Sequence, residues 1–523
     1  MSQKRYRSWA PNQAYLLPPS PGDWLGEGHL AYFILEVVEE LDLSEIADTI
    51  HAKDPRGNRP YPPQMMVGLL LYAYAVGTFS SRKIARGTYD NLAMRYLAAD
   101  SHPYFTTIAS FRREHLTALS KLFVQAVKLC QAAGLVKLGH VSLDGTKIQA
   151  NASKHKAMSY DRMTKKEKQL EAEIEALLKR AEETDTAEDV VQGEDTDEDS
   201  LPEELRRREI RLEKIREAKQ ALQQEAKAAR GATLREQQAR HEETATSHSD
   251  ATTRKRAATN AAKRASAAEA LEESKDNDDD GPPGGAPDSD MPRHQTKAEP
   301  DGTPKPKSQR NFTDPESRIM KGKSGAFEQA YNVQIGVDDE NQIIVGLGVS
   351  NHPADTDHLI PVLKHGVETT GGTPDVATAD AGYWSPENAE WCENEGIDAF
   401  ISVGRERCEH KPSEPTEALP PDGLPPDGTA PDGRKASSPD TPRPRDLMAT
   451  KLKTERGKKI YRKRKYIPEP VFGQIKEARG FRRFSLRGLE AVRGEWALVC
   501  TTHNLLKLFR ASTGGKLMLP KAA

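Results

Sequence analysis

The chain has 523 residues, of which 36% are apolar and 30% charged, with 35 prolines. That length exceeds one ordinary domain, but so charged and proline-rich a composition does not pack throughout into one core. Extended, coiled or disordered stretches are therefore expected between folded parts. The net charge of −3 excludes no class of partner, and local segregation of charge carries more information. Cys130, Cys392, Cys408 and Cys500 form no CxxC pair, which points to a reducing compartment. Cys408 and His410 alone are too few ligands for a metal. The N-terminal MSQKRYRSWAPNQ has no apolar signal core, and the longest apolar run, Met65–Val76, is too short to span a bilayer. A soluble intracellular protein with no membrane partner is expected.

Residues 1–135 read as helical. Ala31–Leu41 is amphipathic and Leu43–Ile50 continues it after a break. Pro62 and Pro63 open a helix over Met65–Val76 with Gly77 as its C-cap. Ser80 and Ser81 cap a helix to about Leu97, and Thr106 and Thr107 cap another that ends near Gly134. Short turns between compact helices, with Arg112 and Arg113 in the first turn of the next helix, fit either a helix-turn-helix or a plain bundle with solvated arginines.

From Gly139 the pattern changes. GHVSLDGTKIQA reads as a short strand interrupted at Asp144-Gly145, which is also a hairpin-turn dipeptide. Leu170, Ile174, Leu177 and Ala181, then Leu201, Leu205, Leu212, Ile215 and Leu222, keep a heptad register with polar lapses at Arg208 and Lys219. Two helices folded back across an acidic stretch are expected, as a spacer or a partner-binding arm. Residues 241–310, rich in Ser, Thr, Asp, Pro and Gly, are expected to be disordered.

Order returns at Phe327. Tyr331, Val333, Ile335 and Val337 alternate as a half-buried strand, and Ile343–Val349 forms a second after a turn at Asp338–Asn341. Asp355 and Asp357 read as capping and first-turn acids of a helix through His365, bent by Pro361. Val376–Ala379 is a strand ending at Asp380, Trp384–Glu395 a helix and Asp398–Val403 a strand. The PPDG, PPDG and APDG repeats over 420–433 mark a low-complexity insertion. A basic run, Lys451–Lys465, precedes a helix carrying Glu469, with a further strand at Trp496–Thr501 and a loose tail.

With both insertions removed, the order is strand with Asp144, two strands, helix, strand with Asp380, helix, strand, helix with Glu469. That is the order of a ribonuclease-H-like fold, in which adjacent strand ends bring two carboxylates together and a helix delivers a third. Such hard oxygen ligands suit Mg²⁺ or Mn²⁺, and a pair of ions can activate the attacking oxygen and steady the leaving one. Taken singly, Asp380 also reads as a loop or capping acid and Glu469 as a solvated helix residue.

DGTKIQANASKHKAMSY (144–160), QAYNVQIGVD (329–338), TADAGYWSPEN (378–388) and RKYIPEPVFGQIKEARGFRRFSLRG (464–488) resemble bacterial insertion-sequence transposases of the DDE type, as does FRREH (111–115) in the N-terminal helices. The resemblance implies Asp144, Asp380 and Glu469 as catalytic, metal-holding residues and two Mg²⁺ (or Mn²⁺) ions as cofactors. Relatives carry Y-x2-R-x3-E-x6-K around the glutamate. Here Glu469 and Lys476 keep the last spacing, while Lys465 stands where arginine is expected and Tyr461 to Arg464 falls one residue out of register. Tyr461, Arg464, Lys465 and Lys476 are thus implied as DNA contacts, beside Arg112 and Arg113. In GFRRFSLRG, Phe481 and Phe484 suit core packing or stacking on an unpaired base.

The expected architecture is an α/β ribonuclease-H-like catalytic core with an all-α N-terminal domain, an inserted coiled-coil-like helical hairpin and disordered insertions. Its segments are 1–135 (helical, DNA-binding), 136–160, 311–403 and 446–510 (core), 161–240 (hairpin), 241–310 (disordered), 404–445 (low complexity) and 511–523 (tail). The expected activity is transposition: binding of terminal inverted repeats, cleavage, and strand transfer into target DNA. A synaptic homodimer and a place beside the prokaryotic nucleoid in the cytoplasm are implied. A nuclease without strand transfer and a non-catalytic DNA-binding product of an inactivated element are the alternatives.

Overall fold

The computed structural model describes residues 21–52, 59–188, 200–248, 250–273, 291–322, 325–404 and 443–512. The PPDG-type repeats, Cys408, His410 and most of the acidic stretch before Ser200 lie outside them.

The N-terminal region is helical: α1 (Leu30–Glu40), α2 (Ser44–His51), α3 (Pro63–Ala75), α4 (Ser81–Asp90), α5 (Leu92–Leu97), α6 (Phe105–Glu114) and α7 (Leu116–Ala132). Two of the expected long helices are broken. Asn91 stops α4 and accepts a hydrogen bond from Met94 N at 3.0 Å to start α5, and His115 separates α6 from α7. Arg112 and Arg113 therefore lie in the last turn of α6, not the first turn of a following helix.

The sheet contains β1 (Val141–Gln149); a small ribbon pairs β2 (Ala157–Ser159) with β3 (Gln309–Asn311). Three helices intervene: α8 (Tyr160–Glu188), α9 (Ser200–Ser247) and α10 (Ala251–Glu273). Then follow β4 (Arg318–Lys321), β5 (Phe327–Asp338), β6 (Ile344–Ser350), α11 (Leu359–Thr370), β7 (Val376–Ala379), α12 (Pro386–Asn394) and β8 (Asp398–Ile401). The chain closes with α13 (Pro444–Lys453), α14 (Glu455–Lys463), α15 (Pro468–Gly473), a π-helical turn Gln474–Ala478, and α16 (Leu489–Ala511). The strands form one mixed sheet in the order β4-β5-β1-β7-β8, with β6 sharing the β4 edge of β5.

Asp144-Gly145 is not a turn. β1 runs straight through it, paired with β5 from Val141↔Asp338 to Gln149↔Ala330. The expected strand at Trp496–Thr501 is instead the middle of α16. Trp496, Val499 and Cys500 are buried together with Val492 and Leu505, so this apolar run is a helix packed on more than one side, which short periodicity does not separate from a strand.

The segment 241–310 is also not disordered where it is described. Alanine, the best helix former, dominates α10, and Ala257, Ala261 and Ala268 are buried, small enough for α10 to lie close along α9. Residues 291–310 pack on the body, with Thr296 buried and Ser308 O accepting from Tyr160 N at 2.8 Å. α8 folds back on α9 around Met163, Leu170, Leu212, Ile215 and Leu222. The polar lapses in the heptads are ion pairs, Arg208 to Glu173 at 3.2 Å and Lys219 to Glu167 at 2.6 Å. Midway along α9, Glu225 meets Arg310, Arg318 (3.3 Å) and the Thr296 hydroxyl (2.6 Å), which fixes the arm to the β4 side of the sheet.

The helical region and the sheet share one core. At their junction Arg112 is buried, donating from Nη1 to the Tyr74 hydroxyl at 2.7 Å and to Phe79 O at 3.0 Å. The Tyr74 hydroxyl donates to Glu495 Oε1 at 3.3 Å, and Glu495 Oε2 accepts from Ser485 N (2.9 Å) and Leu486 N (3.0 Å). The expectation that Arg112 contacts DNA is corrected: its guanidinium is the buried counter-charge of Glu495, reached through Tyr74. Arg113 remains exposed. Removing one member of a buried charge pair costs about 3–5 kcal/mol. Arg112→Met should therefore lower the unfolding free energy by about 3 kcal/mol in urea titration, while Arg113→Ala should stay within about 0.5 kcal/mol of the parent.

Candidate active site at the strand ends

β1 meets β7 in parallel, with Val141 opposite Ala377 and Ser142 opposite Thr378. Continuing that register by two residues brings Asp144 level with Asp380, the first residue beyond β7. Neighbouring strands lie about 4.8 Å apart, and side chains two residues on return to the same face. The two carboxylates thus start side by side where β7 stops and β1 continues. Asp380 keeps an extended backbone and caps the short turn Ala381–Tyr383, accepting from Gly382 N at 2.9 Å. Asp144 Oδ1 accepts from Gly145 N at 2.9 Å. Both are partly exposed.

Beneath them, buried His140 sits 3.0 Å (Nε2) from Thr378 Oγ1, joining β1 to β7 by side chains as well as by backbone.

Glu469 lies exposed in the first turn of α15, which Ile467, Val471 and Phe472 pin to the core against β1 and β5. Among the described residues, no three His, Cys, Asp or Glu side chains are gathered closely enough to hold a metal ion. Asp144 and Asp380 are brought together by the sheet; Glu469 is on the neighbouring helix but not drawn in with them. Past α15, Lys476 reaches β1 and donates from Nζ to Thr146 Oγ1 at 2.5 Å and to Lys147 O at 3.1 Å.

One buried hydroxyl reports on the surroundings of the acids. Burial first, then the charges of Asp355, Asp144 and Asp380, push the Tyr383 hydroxyl well above its ordinary range, and Arg464 opposes them. Three carboxylates and one guanidinium are therefore within electrostatic reach of that oxygen. Arg464 is partly buried over the Tyr461 ring, 5.7 Å from its centroid, whereas Lys465 and Tyr466 are exposed. Of the two basic residues competing for the signature position, Arg464 is the partly buried one, and its charge is the one felt at the Tyr383 hydroxyl.

Asp355 departs from its expected capping role. α11 begins only at Leu359, with Pro361 in its first turn, where no intrahelical N–H is missed. The Asp355 carboxylate turns instead to Lys147, Asn332 and Gln334. Its sequence signal, an acid in NHPADTDH, looked like an ordinary helix cap. Phe481 and Phe484 are buried, stacked edge-on at 5.4 Å, so they belong to the core and not to a base platform. Lys451 and Arg456 cover the Phe400 ring and pair with Asp398, at 2.5 and 2.6 Å, on the outer edge of the sheet.

Residues 289–505 match the family model described as a transposase DDE domain, and residues 20–114 match one described as a transposase domain (DUF772). β1 and Asp144 lie between the two matched stretches. No curated protein and no solved structure matches the chain. No helix among the described residues is long and apolar enough to cross a membrane.

Burial holds His140 and His358 at about 4 and His503 at about 3, against about 6.5 for a free imidazole. In the unfolded chain these rings take up protons below pH 6.5; in the folded chain they do not until about pH 4 or below. Their contribution to stability is thus complete above pH 6.5 and is lost as pH falls toward 4. Unfolding free energies from urea titration should drop steadily from pH 7 to pH 5, by on the order of 1–2 kcal/mol for each such histidine, and His503→Gln should flatten the slope.

Proposed function

Since the chain belongs to the DDE transposases of insertion sequences, we propose that it binds the terminal inverted repeats of its element, cleaves the DNA there and joins the freed ends to target DNA. The level placement of Asp144 and Asp380 at the end of β7 carries this reading. The mixed sheet, with β1 parallel to β7 and antiparallel to β5, is compatible with a ribonuclease-H-like core.

The donor set fits Mg²⁺ or Mn²⁺: hard carboxylate oxygens on one face, partly open to solvent, as suits a site that one or two carboxylates share with substrate phosphate. When bound, two such ions would lower the pKa of an attacking water or hydroxyl and neutralise charge on the leaving oxygen. Asp144 and Asp380 would hold them from the sheet, and Glu469 would complete the set from α15. Its exposed position leaves the carboxylate able to swing inward when DNA phosphate arrives. Lys476, anchored on Thr146, fixes the π-helical turn to β1 on the face that carries Asp144. Arg464 offers a planar fork that matches phosphate oxygens; Tyr461 supports its guanidinium, and Lys465 adds a point charge on the exposed side.

The phosphodiester at the element end is hydrolysed first, and the resulting 3′-hydroxyl then attacks target DNA in line at the same carboxylates. The N-terminal helices, with exposed Arg113, take the terminal repeats. Two chains hold two ends, and the protein works at the prokaryotic nucleoid.

Asp144→Asn, Asp380→Asn and Glu469→Gln should each cut cleavage of terminal-repeat DNA in Mg²⁺ by more than the roughly 10–100-fold that loss of an outer-shell partner costs a metal site. Gel-shift affinity for the same DNA should persist. Undiminished cleavage by any of the three would remove that residue from the set. Joining of a pre-cleaved 3′-hydroxyl end separates strand transfer from simple hydrolysis.

A further inference from the structure

We propose that Gln334, Tyr383 and Asp355 are positioning residues, a polar network behind the sheet, buried at Gln334 and Tyr383 and partly exposed at Asp355, that fixes the aim of Asp144 and Asp380 and so sets how tightly the site holds divalent cations. The inference rests on the function proposed above.

The pairing of β1 with β5 sets Gly145 opposite Gln334 and Lys147 opposite Asn332. Alternation puts these on the face opposite the Asp144 side chain. Asp355 Oδ1 accepts there from Lys147 Nζ at 3.1 Å, Asn332 Nδ2 at 2.7 Å and Gln334 Nε2 at 2.9 Å. Gln334 Nε2 also donates to Asn332 Oδ1 at 2.9 Å, and Gln334 Oε1 accepts from the Tyr383 hydroxyl. Both polar atoms of the amide are thus engaged. Burial, the largest influence on Asp355, opposes its charge, but Lys147 and the amide donors together outweigh it and hold the carboxyl below its usual range. With three donors on one oxygen, Asp355 is committed to this network.

The network touches both catalytic strands. A Cβ at Gly145 would lie 2.4 Å from Gln334 Nε2, 2.7 Å from Oε1 and 2.8 Å from Cδ. The amide therefore lies flat against the backbone immediately after Asp144, in space that any side chain would occupy. Through the Tyr383 hydroxyl, the same amide holds the turn that Asp380 caps. At Gly382 within that turn, a Cβ would be 3.0 Å from Asp380 Oδ1 and 3.5 Å from both Cβ and Oδ2 of Asp355. Asp355 and Asp380 thus flank one glycine. Hydrogen bonds shared among several side chains make such a network rigid, and this one is attached next to the first carboxylate and three residues after the second.

The test is Mn²⁺ binding by the full-length protein without DNA, followed by electron paramagnetic resonance of the free ion, with thermal unfolding and terminal-repeat gel shifts alongside. Asp144→Ala is the reference that abolishes binding. Tyr383→Phe, which removes one oxygen, and Gln334→Met, of similar length, should each weaken Mn²⁺ binding about 10–100-fold, with DNA affinity retained. Gly145→Ala, which pushes the amide aside, should act in the same direction. Wild-type Mn²⁺ affinity in folded Tyr383→Phe and Gln334→Met would overturn the inference and leave the proposed function standing, as would a fall in melting temperature with unchanged affinity. If Gln334→Met does not fold, Tyr383→Phe decides alone. Equal Mn²⁺ binding by wild type and Asp144→Ala would instead refute the metal site itself, and the inference with it.

Discussion

The double pairing of β1 is the constraint on which the site depends. One edge is held antiparallel along β5 over its whole length, and the other runs parallel to β7 for only two residue pairs. β7 stops where β1 continues, and the residues level with one another at that point are Asp144 and Asp380. A shift of one residue in either register would turn Asp144 to the opposite face. The polar residues behind the sheet, Gln334 and Asn332, are partners in that same β1–β5 register, so the pairing that aims the first carboxylate also assembles its support.

The helical region is not a separate bead on this core. Tyr74, Phe79, Phe481, Phe484 and Tyr331 form a run of ring contacts from α3 to β5. The Arg112–Tyr74–Glu495 network lies beside it and ties α6 to α16 and to the loop at Ser485 and Leu486. A surface that holds DNA on the N-terminal helices would therefore transmit force to α16 through buried hydrogen bonds rather than through a loose linker. The SLRG segment, whose motif looked functional, is held in place by Glu495.

Legibility in the sequence followed the range of the forces involved. Strict alternation made β5 readable, and strand-then-acid patterns made Asp380 readable, because both are local. The register that sets Asp144 beside Asp380 is not local, and only the order of elements hinted at it. Arg112 read as a surface cation because nothing near it in sequence announces Glu495. Asp355 read as a cap because its true partners, Lys147, Asn332 and Gln334, come from other strands. α10 read as disordered because its buried residues are alanines, which leave no apolar signature, and the middle of α16 read as a strand because burial on several sides removes helical periodicity. Glu469 and its basic neighbours were legible as a motif; that Arg464 is partly buried while Lys465 is exposed depends on the turn between α14 and α15.

The arm between β1 and β5 bears on how the protein comes to be folded. Gln149 and Ala330 are cross-strand neighbours although α8, α9 and α10 lie between them in the chain, so the central ladder of the sheet closes a very long loop. As an unstructured coil, such a loop costs little extra in equilibrium terms, about 0.6 kcal/mol per doubling of length, but it slows the search for non-local partners. α8 and α9 carry their own apolar seam and ion pairs, so the arm can collapse while β5 is still emerging from the ribosome. The β2–β3 ribbon at its base then brings Gln309 to Ser159 and shortens the remaining search to a few strands. An insertion that interrupts the sheet in sequence thus carries, in its own seam and its basal ribbon, the contacts that can draw β1 and β5 together.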